Sequence, residues 1–147
     1  MTQERRTAWA HNKVRVLIVA GADSVGDWMA SVVKSAPGMA LMGLVRDLTQ
    51  PFDYLEQLAP DVILLDISSG ILRMDNLVNR LNSPGSGAAI IVVAMMDEVD
   101  AVRQAMLHGA QGFLLKPFSE AELLSSIGQA YELAVQRRAQ LATVPML

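Results

Sequence analysis

Five short apolar runs, residues 14–20, 40–45, 62–65, 89–93 and 112–115, alternate along the chain with segments of helical spacing. Most runs are too short for helices, and several are β-branched and apolar on both faces. Strands covered on both sides of a parallel sheet read this way. Between them, Val25, Trp28, Met29, Val32 and Val33 form an apolar stripe ended by Pro37-Gly38. Phe52, Leu55 and Leu58 form a shorter one before Pro60. Leu72, Leu77, Val78 and Leu81 suggest a third, ahead of a Gly/Ser/Pro loop at 82–87. Val99, Val102, Ala105 and Met106 make a fourth, with Asp97 as N-cap candidate and Gly109 as stop. Ser119 and Glu122 have capping-box spacing. Leu123, Leu124, Ile127, Tyr131, Ala134 and Val135 give the fifth its buried face.

Strand–helix–strand units of this length predict a doubly wound α/β domain: a five-stranded parallel sheet, helices on both faces, in the order 2-1-3-4-5. In such a sheet the ligand crevice lies beyond the carboxyl ends of the first and third strands. That singles out Ala20-Gly21-Ala22-Asp23 and Asp66-Ile67-Ser68-Ser69.

The chain's 147 residues suffice for one such domain and are too few for two. With 52% hydrophobic residues it can offset its chain entropy by burial, which excludes a disordered protein. A net charge of −3 argues against nucleic acid, whose phosphates call for a basic face. The absence of cysteine excludes disulfides and thiolate chemistry. The longest apolar stretch, 88–96, is about half of a membrane span. Arg5-Arg6 is followed by no apolar core of the kind an export signal needs. A soluble, cytoplasmic domain is expected, with a solvated extension at 1–12, the domain at 13–135, and the end of the last helix with a linker at 136–147.

Two residues stand out chemically. Asp66 ends a buried strand at the switch point, where a turn-capping carboxylate and a reactive one are equally open readings. Lys116 ends the fifth strand, and Pro117 biases it away from helix. Its ammonium is expected to reach across the crevice toward Asp66.

Asp66 after its apolar strand, together with Gly109-Ala110-Gln111-Gly112-Phe113-Leu114-Leu115-Lys116-Pro117-Phe118, resembles the receiver (CheY-like) domain of bacterial response regulators over residues 14–135. The resemblance implies a flavodoxin-like fold and a non-enzymatic module of two-component phosphorelays. It makes Asp66 the acceptor of a phosphoryl group from a sensor histidine kinase or phosphotransfer protein, and Lys116 the contact to the acyl phosphate. It assigns switch positions to Ala94 and Phe113. It also implies Mg²⁺ held by acids after the first strand, a fused or separate output domain, and partner or homodimer contacts through the fourth helical segment, fifth strand and fifth helix.

Three positions depart from that pattern. Ala20-Gly21 stands where the family has an acidic pair, Ala94 followed by Met95 replaces Thr or Ser, and Ser69-Gly70-Ile71 replaces a Pro-containing turn. Mg²⁺ needs hard oxygen ligands, commonly one or two carboxylates with phosphate oxygens, and phosphoryl transfer relies on its charge. Each unit-charge pair at about 4 Å is worth about 4 kcal/mol at an effective dielectric of about 20, before desolvation. The metal site is therefore expected to be degenerate, reduced to Asp66 and Asp23, and Asp23 is more naturally the N-cap of the first helix. A lone Asp66 paired to Lys116 needs no cation at rest.

A second reading follows: a phosphorylation-independent pseudo-receiver used for dimerisation or docking. The departures, with Arg137-Arg138 and Pro145 in the tail, are similar to the N-terminal receiver-like domain of Tad-type pilus-assembly and localisation ATPases, where a MinD/ParA-like ATPase follows. A flavin- or nucleotide-binding protein is the third reading. Residues 21–26 have P-loop glycine spacing, but Asp27-Trp28 stands where Lys and Ser/Thr belong. His108 reads as a favourable charge near a helix C-terminus, His11 has no partner at metal-ligand spacing, and the nine methionines read as core filler.

Overall fold

The computed structural model describes residues 13–21, 24–46, 58–67, 78 and 87–143 and, within them, every side chain but those of 24, 138 and 140–143. In chain order the elements are β1 (Val14–Val19), α1 (Ser24–Ser35), β2 (Met39–Val45), β3 (Val62–Asp66), β4 (Ala89–Ala94), a 3₁₀ turn (Met96–Glu98), α2 (Val99–Leu107), β5 (Gly112–Leu115) and α3 (Glu120–Thr143). The five strands form one sheet in the order β2-β1-β3-β4-β5, every pairing parallel. This is the expected doubly wound fold. β3 and β4 each run one residue further than their apolar runs, to Asp66 and Ala94. Pairing continues past them, with the Ile67 N–H donating to the Val93 carbonyl at 2.9 Å.

Strand alternation divides the core in two. Leu17, Val19, Ile63, Leu65, Ile90, Val92 and Ala94 pack on one face with Val78, Val102 and Ala105. Val16, Ile18, Leu64, Ile91 and Val93 pack on the other with Met29, Val33, Leu123 and Ile127. Thus α2 covers one side, and α1 and α3 the other. The second and third expected helical stripes lie outside the described residues except at Leu58 and at Val78, which is helical and buried. Among the described residues no helix is long and apolar enough to cross a membrane.

Local signals decide the helix ends. Ser119 Oγ accepts from the Glu122 N–H at 3.0 Å, and Glu122 Oε1 accepts from the Ser119 N–H at 3.2 Å, the reciprocal box expected there. His108 sits at the C-cap of α2, its Nδ1 at 2.7 Å from the Gln104 carbonyl. Gly109 follows at φ 116°, where an L side chain would be strained. Asp97, by contrast, is not the N-cap of α2. It lies within the 3₁₀ turn, Glu98 takes the cap position, and the longer Glu98 side chain reaches back to accept from the Met95 N–H at 2.7 Å.

Three apolar stripes are narrower than their spacing implies. Val99 and Met106 of α2, Trp28 of α1 and Val135 of α3 are exposed. Each flanks positions that do reach the sheet: Val102 and Ala105, Met29 and Val33, Ala134. At the end of β1, α1 passes unusually close. A Cβ built on Gly26 would lie 2.9 Å from the Ala20 Cβ, so only glycine fits without a shift.

Candidate functional site

The site is built at the carboxyl ends of the strands. Every residue of β3 is buried, and its last, Asp66, pairs in register with Val93 of β4. Its side chain is 1% exposed. A carboxylate so far from water needs a compensating charge, and β5 delivers one. The Lys116 N–H continues the ladder by donating to the Ala94 carbonyl at 2.8 Å, and the Lys116–Pro117 peptide bond is cis. Lys116 Nζ donates to Asp66 Oδ2 at 2.9 Å, with the lysine side chain 11% exposed. Asp66 and Lys116, fifty positions apart in sequence, thus meet as a desolvated, charge-assisted pair.

The end of β1 is apolar. Ala20 is buried and its N–H donates to the Val45 carbonyl at 3.0 Å. Gly21 follows it, and the Arg46 guanidinium donates through Nη1 to the Gly21 carbonyl at 3.1 Å. Nη2 of Arg46 also pairs with Asp27 of α1. Arg46 was not singled out from sequence. Its signal is its position directly after the second apolar run, at a strand's carboxyl end, the same rule that pointed to Asp66.

These residues do not fit a magnesium site. Mg²⁺ demands several hard oxygens in near-octahedral order. Asp66 brings one carboxylate, held by Lys116, while positions 20 and 21 bring a methyl group and a hydrogen. The charge beside the Gly21 carbonyl is a guanidinium. Among the described residues no group of three His, Cys, Asp or Glu is placed to hold a metal. Asp23, the other candidate ligand, lies outside the described residues, as do Ser68, Ser69 and His11.

The remaining candidates separate. Ala94 is fully buried at the end of β4, with no hydroxyl to offer, and Met95 after it is exposed. Phe113 points away from the core, 49% exposed. With Met96 of the 3₁₀ turn and Val99 and Leu107 of α2 it is among the apolar residues left in water, and Leu133 of α3 is exposed as well.

Comparison with known proteins agrees with this geometry. Residues 16–128 match the family model of the response regulator receiver domain. The transcriptional regulatory protein MctR of Rhizobium johnstonii is 24% identical over 115 residues, covering 78% of this chain and 54% of that protein. The nitrate/nitrite response regulator protein NarL of Escherichia coli is 27% identical over 99 residues, covering 67% of this chain and 46% of that protein. The chain spans about half the length of these relatives. Among solved structures, the response regulator domain of Thermotoga maritima CheB superposes with a TM-score of 0.69 at 26% identity, covering 82% of this chain and 97% of that one. The receiver domain of the putative response regulator NarL from Mycobacterium tuberculosis shares the fold at 21% identity, with a TM-score of 0.72 and coverage of 82% and 98%. A parallel sheet in the order β2-β1-β3-β4-β5, a buried Asp66 held by Lys116 after β5, and a matching family model over most of its length make one conclusion: the chain belongs to the response regulator receiver domain family.

Proposed function

We propose that this receiver domain keeps the acceptor position but not the switch: Asp66 and Lys116 form a standing ion pair, and the domain acts by docking a partner, a second copy or an attached output domain through α2, β5 and α3. The observation that carries this reading is the Asp66–Lys116 pair, 1% and 11% exposed, beside a β1 end of Ala20 and Gly21. A carboxylate paired with a lysine, beside a β1 end that brings no acid at positions 20 and 21, has less need of a cation at rest. Phosphoryl transfer relies on a bound cation, and positions 20 and 21 bring no oxygen side chain to hold one. Ala94, fully buried, offers no hydroxyl to follow a new phosphate. The exposed apolar residues Met96 of the 3₁₀ turn, Val99 and Leu107 of α2 and Phe113 of β5 support a contact face. The same features support the likeness to the pseudo-receiver of Tad-type pilus-assembly ATPases.

A second reading, phosphoryl acceptance at Asp66 from a histidine kinase or phosphotransfer protein, is favoured by the 2.9 Å reach of Lys116 Nζ to the carboxylate. One experiment separates the two. The chain is incubated with acetyl phosphate and Mg²⁺ and its intact mass recorded, beside Asp66→Asn, while sedimentation follows its association. An unmodified mass, with association indifferent to the donor and reduced by Leu107→Glu, is the expected result. A phosphoryl adduct absent from Asp66→Asn overturns the docking-only reading and establishes the second.

A further inference from the structure

Beside the Asp66–Lys116 pair lies a concavity that neither reading uses. Between α1 and the β5–α3 connection is an open cleft of about 550 Å³, lined by Val25, Trp28, Lys116, Pro117 and Phe118. Its size falls within the range of small-molecule sites. Its wall restricts the occupant. The Trp28 and Phe118 rings stand with centroids 5.6 Å apart at 59°, so Phe118 braces an indole that remains 39% exposed. Aromatic walls with Val25 and Pro117 favour a flat, apolar body that stacks or packs edge to face.

Among the described residues the charged one lining the cleft is Lys116, whose Nζ donates to Asp66 Oδ2 at 2.9 Å. The Lys116–Asp66 pair as a whole is neutral. A full anion would be stripped of water against an apolar wall and against an ammonium already balanced by a carboxylate.

We infer that this cleft binds a small, uncharged, planar aromatic molecule, its ring against Trp28 and Phe118. The site requires neither phosphoryl chemistry nor the α2–β5–α3 face. An occupant would bridge α1 to the β5–α3 connection beside the pair, giving the domain a chemical input where the phosphoryl input is weakened.

The chain contains two tryptophans, so a Trp9→Phe background leaves Trp28 as the reporter. The full chain is titrated with 2-acetonaphthone, a neutral aryl ketone, and with 2-naphthoate, its anionic counterpart, following Trp28 emission and backbone amide shifts. The ketone is expected to saturate, to shift the Lys116 and Phe118 amides and to leave those of Leu107 and Phe113 in place. The naphthoate is expected to bind at least tenfold more weakly. Phe118→Leu should weaken the ketone at least tenfold by fluorescence, and Trp28→Ser should do the same by amide shifts, so that the inference does not hang on one variant's folding. Absence of saturation, shifts confined to Leu107 and Phe113, equal binding of the anion, or folded variants that bind like the parent would each overturn it.

Discussion

Replacing Lys116 by Met tests whether the charge pair at the sheet end is as desolvated as its burial implies. At 2.9 Å the attraction of two unit charges is about 6 kcal/mol at an effective dielectric of about 20. Much of that is offset by what both groups lose in hydration. The net value of the pair is therefore small, but the cost of breaking it is not. Met at position 116 would leave the Asp66 carboxylate, 1% exposed, as a buried charge without its lysine, at about 3–5 kcal/mol. For a chain of this size that lowers the melting temperature by about 10–15 °C. Urea unfolding at neutral pH, with an unchanged m-value to show that the denatured state is unaltered, gives the free energy directly. The double variant Asp66→Asn/Lys116→Met, which buries neither charge, should recover most of the loss and lie within about 2 kcal/mol of the parent. A loss below about 1 kcal/mol in Lys116→Met, the level of a surface pair, would refute the reasoning. So would a double variant no more stable than the single one.

Gly26→Ala sets two effects against each other. Alanine gains about 1 kcal/mol of helix propensity, but its Cβ would stand 2.9 Å from that of Ala20, and overpacking costs about 1–3 kcal/mol. A net loss of up to about 2 kcal/mol in urea unfolding is expected, and a gain would show that α1 can lift away freely. At the opposite end of the sheet, Asp61 Oδ2 accepts from the Arg15 N–H at 2.9 Å and pairs with Arg15 Nε at 3.6 Å, while 3% exposed. Asp61→Ala should cost about 2–3 kcal/mol, measured the same way, and an effect below about 0.5 kcal/mol would mean that water takes over those contacts. Ser119→Ala removes the hydroxyl that caps α3 and should cost about 1 kcal/mol. Its mark in hydrogen exchange should be faster exchange of the Glu122 amide, with the β3 amides keeping their order.

What could be read from sequence was whatever depends on period and position. The five strands, their order, and the meeting of Asp66 with Lys116 all follow from where apolar runs stop in a parallel sheet. What could not be read depended on the third dimension. Trp28 has the spacing of a core residue, but it sits at the flank of its stripe and turns to Phe118. Asp97 is chemically a good cap, yet a 3₁₀ turn opens at Met96 and moves the cap position of α2 on to Glu98. Arg46 follows the second apolar run, but only the adjacency of β2 to β1 brings it to the Gly21 carbonyl.

The last helix has a mechanical consequence. α3 is 24 residues long, and the last of its described side chains in the core is Ala134. The nine positions from there to Thr143 form a rigid arm of about 13 Å at the helical rise. A tilt of roughly 10° at its root swings the tip by about 2 Å, and each residue inserted into the arm turns whatever it carries by about a quarter of a circle. Small adjustments where β5 meets α3 are therefore delivered, amplified and with a defined heading, at Thr143.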